Sequence, residues 1–211
     1  METDGLVKDL AAEISKRLER SLTPVPIGIS NRHAHVTQEH FAALFGRGSA
    51  ISKFRELKQP GQYAANEKMD IIGPKGAIQG LRLLGPCRSK TQVEVSLTDA
   101  ISLGARPPVR ESGDLGGSSP LKLVGPGGSV EVQEGLIISR RHLHCSTGEA
   151  AAIGVSNGEV VRVRAGRGGD RETIFEQTVV RVSDKFSLEL HLDTDEANAA
   201  GVKNGDMAYI V

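Results

Sequence analysis

Apolar positions near the N-terminus follow a helical period. Within residues 4–20 they recur at steps of four, with two more positions widening the stripe: Leu6, Leu10, Ile14 and Leu18, with Val7 and Ala11. This spacing predicts one apolar face on an amphipathic helix. The prolines of "TPVP" at 23–26 should end it, because proline cannot continue a helix. We expect a helix that either packs on the domain behind it or serves as a detachable targeting or assembly segment.

Beyond residue 24 the hydrophobic pattern changes to short alternating segments. "MDIIGPKGAIQGLRLLG" predicts strand, turn and strand, and "LKLVGPGGSVEVQEGLIIS" repeats that form. Further strands are indicated by "VVRVRAG", "QTVVRVS" and "SLELHLDT", with "GRGGD" at 166–170 as a hairpin tip. "QEHFAALF" predicts a brief helix with Thr37 as N-cap and Gly46 as stop. Many short strands with brief helices predict a mainly β fold, a barrel or sandwich rather than a doubly wound sheet.

Two nine-residue segments share one frame. "ISNRHAHVT" occupies 29–37 and "ISRRHLHCS" occupies 138–146. A second pair, "VEVSLTDAISLGA" from Val93 and "LELHLDTDEANAAGV" from Leu188, has a common order of strand, Thr-Asp, helical turn and glycine. We therefore predict an N-terminal helix at 1–23 and two halves of similar plan, 24–115 and 116–211.

The repeated frame concentrates histidine. The chain has 6 histidines, and four of them lie in the two frames: His33, His35, His142 and His144. In a strand, residues i and i+2 face the same side with Cα atoms about 6.5–7 Å apart, so each pair can chelate one metal ion. A catalytic zinc takes three protein ligands. Glu94 and His191 supply the third in each half, which predicts two metal ions between the halves.

The alternative is a duplicated strand-turn whose histidines satisfy backbone groups. His40, on the predicted brief helix, is expected at the surface rather than as a ligand. Arg32 and Arg141 fall on the strand face opposite the histidines, where we expect supporting ion pairs. Cys145 also points away from its histidine pair, and Cys87 is expected to be a small packing residue.

Charge and composition exclude several classes. Twenty-six basic residues balance 26 acidic ones, so no global field favours nucleic acid or an anionic membrane. Two cysteines make no disulfide framework and fit a reducing compartment. No apolar run approaches the ~20 residues of a membrane span, and no signal-peptide pattern is present. We expect a cytoplasmic protein. Nucleoside-triphosphate and dinucleotide loops are also missing from the sequence.

Basic residues precede Glu94. Arg82, Arg88 and Lys90 lie just upstream of it in "GLRLLGPCRSKTQVEVS". A guanidinium presents a planar donor fork that matches phosphate, so an arginine beside a metal would hold a phosphoryl group against it. The alternative for any one of these arginines is a solvated strand edge.

These residues resemble a known family. "PIGISNRHAHVT", "LKQPGQYAA", "IIGPKGAI", "RLLGPCRS", "QVEVSLTDA", "SRRHLHCS" and "HLDTDEANAAG" run in order from about residue 24 to 202. Together they are similar to the PduL-type phosphate propanoyltransferases, the phosphotransacylases associated with bacterial microcompartments. The resemblance implies two β-barrel domains and a dinuclear zinc site. It also implies the interconversion of acyl-CoA plus phosphate with acyl phosphate plus CoA.

The resemblance also implies residue roles. Carried over to this sequence, the ligands of two Zn²⁺ ions are His33, His35, Glu94, His142, His144 and His191. Arg88 would bind phosphate, and Ser30, Arg82 and Asn198 would line the pocket. Ser112 and Arg181 would help to hold CoA. The N-terminal helix is similar to an encapsulation peptide, which implies shell or cargo proteins as partners within a microcompartment. We expect a homodimer.

Two other functions stay open at this point. A zinc hydrolase would use metal-bound water in place of phosphate to cleave a thioester or phosphoester. A non-catalytic microcompartment cargo or assembly module would hold fully coordinated, structural metals. In the acyltransferase no protein nucleophile is required, so we predict a ternary complex rather than an acyl-enzyme. Propanoyl-CoA is the expected substrate, with acetyl-CoA as the alternative.

Overall fold

The computed structural model describes residues 2–211, and the fold is mainly β as predicted. Five helices are α1 (Glu2–Leu22), α2 (Gln38–Phe45), α3 (Leu97–Leu103), α4 (Thr147–Ile153) and α5 (Thr194–Ala200). The first seven strands are β1 (Val25–Ser30), β2 (His33–His35), β3 (Lys53–Glu56), β4 (Tyr63–Ile72), β5 (Ala77–Gly85), β6 (Gln92–Val95) and β7 (Val109–Arg110). The others are β8 (Ser119–Gly125), β9 (Gly128–Ser139), β10 (His142–Cys145), β11 (Val160–Ala165), β12 (Thr173–Val182), β13 (Glu189–Asp193) and β14 (Met207–Ile210).

The strands form two closed barrels. One, here the C-terminal barrel, has the order β1-β13-β10-β12-β11-β14. The other, the N-terminal barrel, follows β4-β5-β2-β6-β9 and is closed by β8, which pairs with both β4 and β9. Strands β3 and β7 extend this second sheet at its sides. The prediction of a barrel class is therefore confirmed, and closure leaves neither ring with an open edge.

Each barrel closes on its own apolar core. In the C-terminal barrel the fully buried side chains include Leu143, Val163 and Leu190. In the N-terminal barrel they include Leu83, Leu123 and Leu136, together with residues of α2 and α3 that pack against the strands. These inward positions alternate along the strands with more exposed ones, as the period-2 pattern predicts.

The predicted local elements are present. Helix α1 includes all the residues of the predicted apolar stripe. Thr37 caps α2 by accepting a hydrogen bond from the His40 amide. Gly46 ends that helix with a positive φ of 104°, a conformation that glycine adopts without steric cost. "GRGGD" at 166–170 connects β11 to β12, as the hairpin prediction required.

The compact units differ from the predicted halves. One unit comprises residues 1–29, 141–192 and 196–211, and the other comprises 30–140 with 193–195. The predicted boundary at 115/116 falls inside the second unit, because β8 and β9 pair with strands β4 and β6 there. Strand β1, which ends in Ile29 and Ser30, belongs to the C-terminal barrel, whereas the histidine strand β2 that follows it belongs to the N-terminal barrel. Strand β9, which ends in Ile138 and Ser139, belongs to the N-terminal barrel, and the histidine strand β10 belongs to the C-terminal barrel. The repeated frame therefore spans the two points where the chain passes between units.

Helix α1 leaves its apolar stripe uncovered. Leu6, Leu10, Ile14 and Leu18 are between 57% and 70% exposed. Near the helix end, the Arg20 side chain donates to the Ile153 carbonyl and pairs with Glu159 at 3.0 Å. No helix among the described residues is both long and apolar enough to span a membrane.

Candidate metal centres and anion pocket

The first histidine frame forms a buried cluster in the N-terminal barrel. Strand β2 lies between β5, its parallel neighbour, and β6, its antiparallel neighbour. The register places His33 directly opposite Glu94. His35 shares their face, and ligand atoms of the three side chains lie within 4.8 Å of one another. All three are buried, with His33 Nε2 3.5 Å from a Glu94 carboxylate oxygen.

Burial and neighbouring charges act differently on the three groups. Burial disfavours protonated His33, yet the charge and hydrogen bond of Glu94 outweigh it and raise the His33 pKa. Burial dominates at His35, and the charges of His33 and Arg88 add to it, so its pKa is well below the ordinary value. Burial opposes ionisation of Glu94, but His33, His35 and the Ser139 hydroxyl together hold its pKa well below the ordinary value. The carboxylate is therefore ionised at neutral pH, as a metal ligand must be.

The second histidine frame forms an equivalent cluster in the C-terminal barrel. Strand β10 runs parallel to β12 and antiparallel to β13, so that His142 lies opposite His191. Ligand atoms of His142, His144 and His191 lie within 4.8 Å of one another. The ring centroid of His191 is 4.8 Å from that of His142 and 4.7 Å from that of His144. The same strand arrangement thus brings three potential ligands together in each barrel.

A fourth polar residue completes each cluster, and the sequence analysis missed both. Gln92 lies opposite His35, and Glu189 lies opposite His144. Each stands two residues before the third potential ligand, on the same strand face. A Glu189 oxygen is 2.9 Å from His191 Nε2, and Gln92 Nε2 donates to Glu94 at 2.6 Å. The i, i+2 spacing that identified the histidine pairs was the available signal.

Glu189 depends on a glycine in β1. A Cβ at Gly28 would lie 2.6 Å from Glu189 Cδ, so any other residue at this position would require the buried carboxylate to shift. Another residue that the sequence analysis missed is Phe186, whose ring stacks on His144 at a centroid distance of 4.0 Å. Arg181 lies over that same Phe186 ring, at 5.7 Å from its centroid. The close approach of Gly28 to Glu189 and the stacking of Phe186 on His144 therefore restrain side chains of the second cluster.

Arg88 lies beside the first cluster. Its charge lowers the pKa values of both His33 and His35, which places the guanidinium within electrostatic reach of them. Its Nη1 donates to the Ser112 hydroxyl at 3.3 Å and its Nη2 to Gln62 Oε1 at 3.4 Å. In these two bonds the half-buried guanidinium donates to neutral oxygens. Its planar fork of N–H donors has the geometry that binds a carboxylate or phosphate.

The other predicted pocket residues lie at several different places on the strands and helices. Arg82 donates to the Ala65 carbonyl and lies over the Phe54 ring at 4.8 Å. Ser30 is half-buried at the end of β1, and Asn198 is exposed on α5. The strand register places Arg82 of β5 beside His33 of β2, and a hydrogen bond joins Ser112 to Arg88.

The two frame arginines form the predicted ion pairs. Arg32 pairs with Asp99 of α3 at 2.8 Å, and Arg141 pairs with Glu196 of α5 at 3.0 Å. Each acid lies five residues after the third potential ligand of its cluster. Each pair therefore ties a histidine strand to the helix that follows the partner strand, which fixes the ligand strands relative to each other.

The cysteines and His40 have structural surroundings. Cys145 is fully buried in the core of the C-terminal barrel, where desolvation, with a smaller contribution from Glu149, raises its pKa to about 11. Desolvation also raises the pKa of Cys87. His40 is half-buried rather than at the surface, because its Nδ1 lies 2.7 Å from the Thr91 hydroxyl. These contacts give none of the three residues a place in the clusters.

The donor sets suit zinc. One cluster offers two imidazoles and a carboxylate and the other offers three imidazoles, which are donor sets typical of catalytic zinc sites. Three ligands from the protein leave a tetrahedral position for substrate or water. Two three-ligand clusters on barrel strands, with every residue buried except the half-buried His191 and with Arg88 near one of them, define a mainly β protein with two candidate metal centres.

Comparison with known proteins identifies the family. The family model for phosphate propanoyltransferase matches residues 26–203. The phosphate propanoyltransferase of Thermotoga maritima is 46% identical over 211 residues, which is 100% of this chain and 99% of that protein. That of Priestia megaterium is 50% identical over 186 residues, 88% of this chain and 84% of the relative. That of Lachnoclostridium phytofermentans is 48% identical over 167 residues, 79% and 77% respectively. The chain belongs to the phosphate propanoyltransferase family and is an acyltransferase.

Proposed function

We propose that the protein interconverts propanoyl-CoA plus phosphate with propanoyl phosphate plus CoA, using two zinc ions, one at each cluster. The observation that carries this proposal is the pair of three-ligand clusters in a member of this family. Bound zinc would supply Lewis-acid stabilisation of charge at the thioester oxygen and at the departing sulfur. Acetyl-CoA is the alternative substrate.

Arg88 has the position and chemistry to orient phosphate. Its fork of N–H donors matches two phosphate oxygens, and its charge lowers the pKa values of His33 and His35 in the first cluster. Holding phosphate beside the thioester turns a bimolecular encounter into a positioned attack. A phosphate oxygen then bonds to the carbonyl carbon, the carbon–sulfur bond breaks, and CoA leaves as the thiolate. Neither protein thiol need take part in this step.

The other pocket residues, apart from Ser112, keep the roles that the resemblance implies. We propose that Ser30, Arg82 and Asn198 line the pocket and that Arg181 contacts CoA. The cation–π contact of Arg181 with Phe186, which itself stacks on His144, supports a position for Arg181 near the second cluster. Ser112 contacts Arg88, which favours the phosphate side of the pocket for this residue.

We also propose that α1 directs the protein into a bacterial microcompartment by binding a shell or cargo protein. The support is the exposed apolar stripe of the helix. In the full chain, Leu10→Lys with Ile14→Lys should abolish co-sedimentation with shells while turnover persists, and Lys8→Gln is the matched polar-face control. Unchanged co-sedimentation would exclude this role. The homodimer stays a prediction that light scattering of the purified protein can check.

The experiment that tests the proposed activity measures free thiol released from propanoyl-CoA with and without phosphate. The ³¹P NMR signal of propanoyl phosphate, recorded in a parallel reaction, measures the second product independently. We expect thiol and propanoyl phosphate in equal amounts, and only when phosphate is present. Thiol release that needs no phosphate and yields no propanoyl phosphate would instead identify a hydrolase.

A further inference from the structure

The side chain of Gln92 is a buried amide with all its strong contacts inside the N-terminal barrel. It is 3% exposed on β6, and its strand register places it opposite His35. Its Nε2 donates to Glu94 Oε1 at 2.6 Å and to the Ser112 hydroxyl at 2.8 Å. Its Oε1 accepts from the Gly113 amide at 2.7 Å. Both ends of the amide are therefore used.

The Gly113 amide fixes which way the Gln92 amide points. A backbone N–H can donate only to an acceptor, so the atom that faces Gly113 must be the oxygen of Gln92. The NH₂ group is then directed at both Glu94 and Ser112. If the amide were inverted, its NH₂ group would face the Gly113 N–H and its oxygen would face the Glu94 carboxylate. Donor would then meet donor and acceptor would meet acceptor, which is costly in a buried site.

The Glu94 carboxylate is restrained by two hydrogen-bond donors. Gln92 donates to its Oε1, and the Ser139 hydroxyl also hydrogen-bonds to the carboxylate. A carboxylate restrained in this way presents a defined oxygen toward His33, whose Nε2 is 3.5 Å away. Such outer contacts set the direction of a metal ligand and its affinity for the metal.

The amide of Gln92 also orients the Ser112 hydroxyl. Its oxygen accepts from Gln92 Nε2 and from Arg88 Nη1. A hydroxyl oxygen has two lone pairs, so both are taken by donors and the O–H hydrogen is left to donate. With the Arg88 guanidinium beside it, that hydrogen is suited to an oxyanion.

We propose that Gln92 is a positioning residue that couples the first metal centre to the anion pocket. One amide aims the Glu94 carboxylate at the metal position and makes Ser112 a donor for phosphate beside Arg88. This inference rests on the proposed function for the identity of the anion, but its effect on metal affinity does not depend on the reaction catalysed.

The test is Gln92→Met in the full chain, a substitution of similar length that removes every hydrogen bond of the amide. Zinc affinity is measured by competition with a chelating dye, and KM is measured separately for phosphate and propanoyl-CoA. We expect the affinity for one of the two zinc ions to fall by about 10- to 100-fold. The phosphate KM should rise at least tenfold, while the propanoyl-CoA KM stays within about twofold.

Three further variants separate positioning from packing. Gln133→Met makes the same change at an exposed position of β9 in the same barrel and should alter none of these quantities. Ser112→Ala should raise the phosphate KM while both zinc affinities stay as in the wild type. Should Gln92→Met fail to fold, Gln92→Asn keeps an amide that is one methylene too short to span Glu94 and Gly113, and it should reproduce the loss of zinc affinity.

The outcomes distinguish this inference from the proposed function. If the wild type releases thiol without phosphate but Gln92→Met still loses affinity for one zinc ion, the positioning of Glu94 stands and the proposed reaction fails. If the wild type is phosphate-dependent and Gln92→Met keeps both zinc affinities and its phosphate KM, the inference is overturned. Binding of no zinc by the folded wild type would overturn it as well.

Discussion

Removal of the Cys145 thiol tests whether the acyl group passes through the protein. Cys145 is adjacent in sequence to His144, which makes it the cysteine that a nucleophilic mechanism would use first. Its side chain is fully buried in the barrel core, and its pKa is raised to about 11. At pH 7 about one thiol in 10⁴ would be ionised, compared with a few per cent for an ordinary cysteine. Because the thiolate is the nucleophile, Cys145 is poorly suited to attack a thioester.

The expected result for Cys145→Ala is turnover within about threefold of the wild type. The substitution leaves a small space in the core, which should cost about 1 kcal/mol by comparison with the loss of one buried methyl group. For a chain of this size that lowers the unfolding temperature by about 2–4 °C. The effect on stability should thus be measurable while the effect on chemistry is not.

The assay benefits from a cysteine-free protein. The chain contains 2 cysteines, so Cys87→Ala with Cys145→Ala removes every protein thiol that a thiol reagent would detect. Release of CoA from propanoyl-CoA can then be followed without background, and the intact mass of the protein during turnover reports any acyl adduct. Loss of turnover with fold and zinc content unchanged, or an acyl adduct on the wild type alone, would refute a ternary-complex mechanism.

Three other perturbations follow from the site. Arg88→Ala should raise the phosphate KM at least tenfold, and Arg88→Lys should recover part of the loss, because lysine keeps the charge but not the planar fork. In metal-free protein the raised pKa of His33 means that a proton competes with zinc, so zinc affinity at the first cluster should rise up to tenfold per pH unit below that pKa and level off above it. Gly28→Ala places a Cβ 2.6 Å from Glu189 Cδ and should weaken one zinc ion by about tenfold, whereas Gly148→Ala, whose Cβ meets nothing within 4 Å, should leave zinc binding unchanged.

Each of these predictions has a contradicting result. An unchanged phosphate KM in Arg88→Ala would remove the guanidinium from the anion pocket. Zinc affinity that is independent of pH from 5 to 8 would exclude proton competition at His33. Equal zinc binding in the two glycine variants would mean that the Glu189 carboxylate can retreat by the required 0.8 Å, to ordinary contact at 3.4 Å, without disturbing His191.

Local features of the fold could be predicted where the chemistry was local. The apolar stripe of α1, the Thr37 cap and the turn at 166–170 depend on residues within a few positions of each other. The histidine pairs were accessible for the same reason, since i and i+2 share a strand face. Repetition of the frame then separated these histidines from incidental ones.

Long-range pairing set the limit of prediction. Gln92 and Glu189 became site residues only when β6 and β13 were placed opposite the histidine strands, and Phe186 reaches His144 from a loop. Strand pairing also places β1 in the C-terminal barrel and β9 in the N-terminal barrel. The compact units therefore do not divide at the predicted boundary of 115/116. The side-chain pattern of a strand indicates that it has a buried face but does not indicate its neighbour.

Reconstitution of metal-free protein tests the central claim, that the two histidine frames form catalytic zinc centres. Protein purified without a histidine tag and stripped by a chelator is titrated with zinc while phosphate-dependent release of CoA from propanoyl-CoA is measured. We predict no turnover in the stripped, folded protein and a return of full activity at two zinc ions per chain. Full phosphate-dependent turnover in the stripped protein would contradict the assignment of His33, His35, Glu94, His142, His144 and His191 as catalytic metal ligands.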